Sequence, residues 1–331
     1  MRLHEEGNAM KTTVVIPNYN GIKFIEDCIQ SLREDRSSDF QVCIVDNGST
    51  DGSLEWIQAN CTEARIMVMG ENTGFCRAVN EGIRAADTPY VILLNNDTKV
   101  VPGFVRALEE ALERSPKRFS VSARMVDMYE PQLLDGAGDL YCALGWAFAR
   151  GKGKRADSSY TREEEIFSAC GGAAIYRKAL VDRLGYFDEN HFAYLEDCDL
   201  GYRAQLYGYR NFYSPEAVVY HAGSGASGSR YNEFKISLSS RNSIYLIYKN
   251  MPLWQILLNL PLLLAGFFIK FLFFQKKGFG AIYWKGCLSG IRLCKEKRGK
   301  LRKQYPGAEN LGNLIRIQGK LWENTLRRFG G

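Results

Sequence analysis

The sequence predicts an α/β protein on a mainly parallel sheet, extended by a C-terminal helical region of different chemistry. Three observations carry this: short apolar runs alternate with helix-period segments over the first hundred residues; polar turn residues follow three of those runs; and after Asn250 the chain becomes apolar and then strongly basic.

The runs begin at Thr12 (TTVVI), Gln41 (QVCIVD), Arg65 (RIMVM) and Tyr90 (YVILLN). Each is continuous, apolar and rich in β-branched side chains, the pattern of strands covered on both faces. Between them Ile22, Ile25, Ile29 and Leu32 recur at helical spacing, and 51–60 and 73–86 fit two further helices. In such sheets ligands bind beyond the carboxyl ends of the strands. Those ends carry Pro17-Asn18-Tyr19-Asn20, Asp46-Asn47-Gly48-Ser49 and Asn95-Asn96-Asp97. From about Val121 the pattern turns irregular, and the glycine-rich, charged 150–154 reads as a loop or short insertion. Regularity returns at Ser168-Ala169-Cys170-Gly171-Gly172, where paired glycines mark a close backbone approach. A strand and a helix near 177–184 follow, another helix opens at Glu196, and Ala217-Val218-Val219-Tyr220 reads as a strand.

Residues 250–269 form a twenty-residue run without a charge, just long enough to cross a bilayer. It contains Gln255, Asn259 and Pro261, and from Lys270 onward fifteen basic residues face three acids. A single crossing would put that +12 tail on the far side, against the positive-inside tendency. A segment lying in the interface or re-entering explains both flanks better, and a buried core helix is the alternative. A basic tail on a body of net charge −6 serves nucleic acid or an anionic membrane, and the apolar run before it selects the membrane. Nine cysteines without a CxxC pair point to a reducing compartment, and the first residues lack the apolar core of a secretory signal. The expected organisation is an extension (1–11), an α/β domain (12–245) and a helical, basic, membrane-associated region (246–331), placed peripherally at the cytoplasmic face of the membrane.

Several residues bear chemistry. Asp46 opens a strand-end octet of small polar residues, which alone is also a good tight turn. Asp97 ends the run Leu93-Leu94-Asn95-Asn96-Asp97; two carboxylates on one rim invite a cation, and Mg2+ or Mn2+ is the usual means of neutralising a departing diphosphate. Glu196-Asp197-Cys198-Asp199 is the densest central acidic cluster, favoured by a helix dipole or usable as a base for an acceptor hydroxyl. His221 ends a strand and precedes a glycine- and serine-rich stretch able to fold over phosphates; imidazole also suits Mn2+.

In order, these segments resemble the family 2 glycosyltransferases with the GT-A fold, and most closely the branch that includes rhamnosyltransferases of cell-surface polysaccharide assembly. The matching pieces are Val15-Ile16-Pro17-Asn18-Tyr19-Asn20-Gly21, Val45-Asp46-Asn47-Gly48-Ser49-Thr50-Asp51-Gly52-Ser53, Asn72-Thr73-Gly74-Phe75, Leu93-Leu94-Asn95-Asn96-Asp97-Thr98, Gly171-Gly172-Ala173-Ala174, Gly185-Tyr186-Phe187-Asp188-Glu189 and Tyr194-Leu195-Glu196-Asp197-Cys198-Asp199-Leu200. The resemblance implies an inverting, metal-dependent hexosyltransferase. Pro17, Asn18, Asn20, Asp46, Asn47, Asn72, Asn95, Asn96, Gly171 and Gly172 would bind the nucleotide-sugar donor, with Asp46 on the base. Asp97, closing a DxD-like motif, and His221 would hold Mn2+ or Mg2+. Asp197 would be the catalytic base and Glu196 would face the acceptor. Asn95 and Asn96 stand where the family often begins with Asp, so a single carboxylate implies weak metal binding until the nucleotide supplies phosphate oxygens. Implied partners are a dTDP- or UDP-sugar, rhamnose being the sugar of the branch, and a lipid-linked glycan or polysaccharide acceptor at the membrane surface, with no nucleic acid. The sequence leaves open the base, the linkage, the choice of metal and the oligomeric state. A sugar nucleotidyltransferase and an inert membrane-docked binding protein with a transferase fold are the rival readings; the first normally opens with a glycine-rich basic loop where this chain has Pro17-Asn18-Tyr19-Asn20-Gly21.

Overall fold

The computed structural model describes residues 10–223, 231–301 and 311–330. Most of the 1–11 extension and most of the stretch expected to fold over phosphates after His221 lie outside the described residues.

The first half follows the alternation read from the sequence: β1 (Thr12–Asn18), α1 (Ile25–Glu34), β2 (Phe40–Asp46), α2 (Ser53–Asn60), β3 (Arg65–Val68), α3 (Phe75–Ala85) and β4 (Tyr90–Leu94). Strands β3, β2, β1 and β4 lie side by side and parallel, with Asn18 in register with Asp46. Both faces are covered: Val14, Ile16, Ile44 and Ile92 pack in one core with α1, while Val15, Val45, Val91 and Leu93 pack on the other side with α3. Burial on both faces is why β1, β4 and the second half of β2 read as unbroken apolar runs; β3, expected from the sequence to be covered as well, lies at the sheet edge and is partly exposed.

The second half departs from the expected mainly parallel sheet. It contributes β5 (Thr98–Val100), α4 (Phe104–Glu113), β6 (Arg118–Asp127), β7 (Leu134–Gly136), β8 (Asp139–Tyr141), β9 (Ala147–Ala149), β10 (Glu164–Ile166), β11 (Ala173–Arg177), α5 (Lys178–Leu184), α6 (Glu196–Leu206) and β12 (Arg210–His221). The ten-stranded sheet runs β10-β12-β6-β11-β4-β1-β2-β3 with β5 on β12 and β7 on β6, and β8 pairs with β9 separately. β11 is antiparallel to both β4 and β6, so the sheet is mixed. No crossover helix separates β6 from β11; the chain makes a short-stranded excursion and returns in the opposite direction. The stretch read as irregular from Val121 therefore holds most of the ten-residue β6. Its hydrophobic signal is broken by Ser120 and Ser122, both fully buried, with Ser120 Oγ bonded to Asn211 Oδ1 at 2.7 Å.

Four helices complete the chain: α7 (Glu233–Asn250), α8 (Leu253–Lys276), α9 (Gly280–Leu301) and α10 (Leu311–Phe329). α7 runs without a break through residue 245, where the sequence suggested a boundary. Tyr141, Tyr202, Leu246, Leu263 and Leu321 share one core that joins α6, α7, α8 and α10. Gly266 of α8 sits directly on the Leu144 carbonyl; a Cβ there would lie 2.3 Å from that oxygen, so only glycine allows this approach.

Candidate active site

The polar strand ends meet in one cleft of about 640 Å³, closed on the far side by the segment leading into α6 and by the start of α7. Eleven of the fourteen residues singled out from the sequence line it: Pro17, Asn18, Asn47, Asn72, Asn95, Asn96, Asp97, Gly172, Glu196, Asp197 and His221.

Asn20, Asp46 and Gly171 are not on the wall, each for a visible reason. Asp46 is fully buried. Its Oδ1 accepts from the backbone N–H of Gly48 and Ser49 at 3.2 and 3.0 Å, and its Oδ2 from Asn18 Nδ2 at 2.9 Å. It folds the turn after β2, and Asn47, the next residue, reaches the cleft. Asn20 is exposed and pins the same turn through Thr50 N at 2.9 Å. Gly171 lies behind Asp197, and a Cβ on it would meet Asp197 Oδ1 at 2.7 Å.

A web of amides sets the strand-end side of the cleft. Asn18 Nδ2 also donates to Ser53 Oγ at 2.9 Å, and Asn96 Nδ2 donates to Asn18 Oδ1 at 2.7 Å, tying the ends of β1, β2 and β4 together. Asn47 Oδ1 accepts from Thr73 N at 2.9 Å, which draws the 72–74 loop over the β2 end. With strand ends fixed this way, the pocket exists before any ligand arrives.

At the β4 end, Asp97 Oδ1 is 3.3 Å from His221 Nε2, brought over by the pairing of β5 with β12. His221 Nδ1 donates to Asp135 Oδ2 at 2.8 Å, and Asp135 Oδ1 is also held by Lys152 Nζ. Burial lowers the His221 pKa, but the two carboxylates outweigh it and raise it to about 9; Asp135 is held near 2 by His221 and Lys152 against its own burial. One carboxylate oxygen and one imidazole nitrogen thus stand side by side, with the second ring nitrogen fixed by a carboxylate, an arrangement that could hold a metal ion. Sequence reasoning missed Asp135, which sits in the stretch Leu134-Asp135-Gly136-Ala137-Gly138-Asp139 read as irregular.

Opposite lies a different electrostatic environment. Asp197 Oδ1 and Glu196 Oε2 are shut off from solvent with no hydrogen-bond partner. Burial, with help from Glu196 and Asp139, raises the Asp197 pKa well above the usual carboxylate range; burial and Asp139 push Glu196 to about 7. Asp139, also missed by the sequence reading, is pushed by burial to about 6 and clusters with Cys170 and Asp197, their ligand atoms within 4.8 Å of one another. Buried carboxylates crowded together resist ionisation.

The loop before α6 is strained: Phe192, Tyr194 and Leu195 have φ of 63°, 70° and 69°. Non-glycine residues persist there only when their surroundings over-determine them. Asn242 Nδ2 from α7 provides this, lying 2.8–2.9 Å from the carbonyls of His191, Ala193 and Tyr194. His191, read as structural, is fully buried against the Tyr245 ring, and burial lowers its pKa to about 4. Behind the loop, Lys249 Nζ bridges Asp188 Oδ2 (2.7 Å) and Asp199 Oδ2 (2.8 Å), with Asp199 also clamped by Arg203 and Asn250. The ammonium already supplies the cation for the Asp188–His191–Asp199 cluster. Lys249→Met is expected to destabilise the fold by about 3–5 kcal/mol, because it strands buried carboxylates; urea unfolding checks this, and an unchanged midpoint would refute it.

Residues 13–185 match the family model "Glycosyl transferase family 2". The chain belongs to glycosyl transferase family 2. The match sets aside the nucleotidyltransferase alternative. This glycosyltransferase is 28% identical over 238 residues, 65% of its own length and 77% of the relative's, to N-acetylglucosaminyl-diphospho-decaprenol L-rhamnosyltransferase of Mycobacterium tuberculosis (strain ATCC 25618 / H37Rv). Among solved structures it is similar to GalNAc-T7 with UDP, GalNAc and Mn2+ (TM-score 0.59, 17% identity, 74% of this chain and 48% of that one). It is also similar to mannosyltransferase PcManGT from Pyrobaculum calidifontis in complex with GDP-Man and Mn2+ (TM-score 0.52, 18% identity, 95% of this chain and 87% of that one). The fold is therefore the GT-A glycosyltransferase fold with a mixed central sheet; this chain spans about half of the GalNAc-T7 chain.

Proposed function

We propose that this family 2 enzyme moves a sugar, with inversion, from a nucleoside diphosphate to a hydroxyl of a lipid-linked or polysaccharide acceptor at the cytoplasmic face of the membrane. The observation that carries the reading is the division of one cleft between Asp97 beside His221 and a buried, unpartnered carboxylate pair, Asp197 and Glu196. Pro17, Asn47 and Asn72 take the nucleoside, with Asp46 acting through the turn it folds; Asn95, Asn96 and the backbone at Gly172 take the diphosphate and sugar.

Asp97 and His221 would hold Mn2+ or Mg2+, which when bound supplies positive charge against the departing diphosphate. Asp197 takes the proton of the acceptor hydroxyl as its oxygen bonds to the anomeric carbon and the carbon–diphosphate bond breaks on the opposite side. Its raised pKa makes the ionised carboxylate a stronger base than an ordinary aspartate. Glu196 faces the acceptor and repels charge on Asp197, keeping that base strong. The Mycobacterium tuberculosis relative, named for a rhamnosyl transfer to a glycan diphosphate lipid, supports rhamnose as the sugar and a lipid-linked acceptor here.

The test is a thermal-shift panel of dTDP-, UDP- and GDP-sugars with Mn2+. A donor at a hundred times its Kd is expected to stabilise the protein by about 2.7 kcal/mol. Inertness to every donor, with no slow hydrolysis of any, would overturn the enzymatic reading.

A further inference from the structure

α8 is the one helix among the described residues long and apolar enough to cross a membrane. Its packing argues against crossing. The face it turns inward carries Gln255, Asn259, Leu263 and Gly266, all buried. Tyr202 Oη donates to Gln255 Oε1; Asn259 and Gln318 of α10 exchange reciprocal amide bonds at 2.8 and 2.9 Å; Trp322 Nε1 donates to Asn259 Oδ1 at 3.1 Å. Trp146 Nε1 donates to the Gly266 carbonyl at 3.1 Å. A spanning pose would tear these amides from their partners and leave them in hydrocarbon, where unsatisfied polar groups cost several kcal/mol each.

The outward face is the reverse. Leu257, Leu264, Phe268 and Leu272 of α8 are 49–63% exposed, and Ile315, Leu326 and Phe329 of α10 are 60–75% exposed. Monomeric soluble proteins rarely show so large an apolar surface. Exposed Lys276 and Lys277 at the end of α8, and Lys285, Arg292 and Lys295 on α9, accompany it. A second copy docking by twofold symmetry would bring these like charges together, whereas anionic headgroups are attracted to them.

We propose that the outward faces of α8 and α10 form an in-plane docking surface for an anionic bilayer, continuous with the acceptor side of the cleft. The continuity is aromatic. Phe234, on the cleft wall, packs edge-on to Phe192 and Tyr194, also on the wall. Three residues before it, Tyr231 packs against Phe273 and Phe274 at the end of α8, with Lys277 Nζ 5.3 Å above its ring. An amphiphilic acceptor can thus keep its hydrocarbon tail in the bilayer while its head group enters the cleft. This last step rests on the transferase reading above; the docking surface does not.

The test uses the full chain and flotation with phosphatidylglycerol/phosphatidylcholine vesicles or pure phosphatidylcholine vesicles. Binding is expected on the anionic vesicles and to be weaker by about tenfold or more on the neutral ones. The double variant Leu257→Glu/Phe268→Glu should lose about tenfold or more of its vesicle binding, with unchanged melting temperature and unchanged transfer to a soluble acceptor. Brominated lipids should quench Trp254, Trp284 and Trp322 at the headgroup–acyl boundary. Vesicle binding that survives the double variant, equal binding to neutral vesicles, quenching at the bilayer centre, or a wild-type dimer that the variant converts to monomer while still binding vesicles would each overturn the proposal. Vesicle binding retained in a protein that transfers no sugar would sink the transferase reading and leave the docking surface standing.

Discussion

Asp197→Asn is expected to slow sugar transfer by about a hundred- to ten-thousand-fold, to leave donor binding measurable by calorimetry, and to raise the melting temperature above pH 7. The kinetic effect follows from the proposed role of Asp197 as the base that takes the acceptor proton. The stability effect follows from linkage. Asp197 and Glu196 have pKa values raised on folding, Glu196 to about 7, by burial and by mutual repulsion with Asp139. Carboxylates of this kind contribute stability that is full below their unfolded value near pH 4 and is lost as pH rises through the folded value. Asparagine never ionises, so the variant escapes that loss: its melting temperature should exceed the wild type at pH 8 and match it at pH 4. The companion Asp139→Asn should move the acidic limb of the kcat profile to lower pH, because it removes a neighbour that opposes ionisation of Asp197. Turnover retained in Asp197→Asn would take this residue out of the base role, and melting temperatures that differ equally at both pH values would refute the electrostatic account.

Asp97→Ala is expected to abolish the dependence of nucleoside diphosphate affinity on Mn2+ or Mg2+, measured by calorimetry with and without the metal. Only one carboxylate and one imidazole are offered, so losing either leaves too few protein ligands for a hard cation that prefers oxygen. His221→Ala should behave alike. Asp135→Asn should weaken metal-dependent binding less, by about ten- to a hundredfold, since it acts by orienting the imidazole. Metal dependence that persists in Asp97→Ala would sink the ligand assignment.

Much of the strand-end wall of the cleft was legible along the chain. Strand ends announce themselves by a hydrophobic run stopping at a polar turn, and Asn18, Asn47, Asn95, Asn96 and Asp97 were found that way. Asp46 was found too, and the structure adds what the sequence did not show: three hydrogen bonds to Gly48, Ser49 and Asn18 through which it folds its own turn. Asp135 and Asp139 escaped because they lie on short strands among glycines, where periodicity carries no signal, and because their partners, His221 and Asp197, are 86 and 58 residues away in the chain.

What the sequence by itself determined was the parallel half of the sheet, the family and the order of its motifs, because those depend on local patterning and on residues a few positions apart. Tertiary structure alone decided the mixed sheet, the pairing of carboxylates with His221 and with each other, and the pose of α8. Gln255 and Asn259 read only as flaws in an apolar run; folding shows them bonded to Tyr202 and Gln318, which turns the apolar face outward. The reason is the same in each case. Desolvation and charge pairing depend on distance in space, and these groups meet only after long loops have closed.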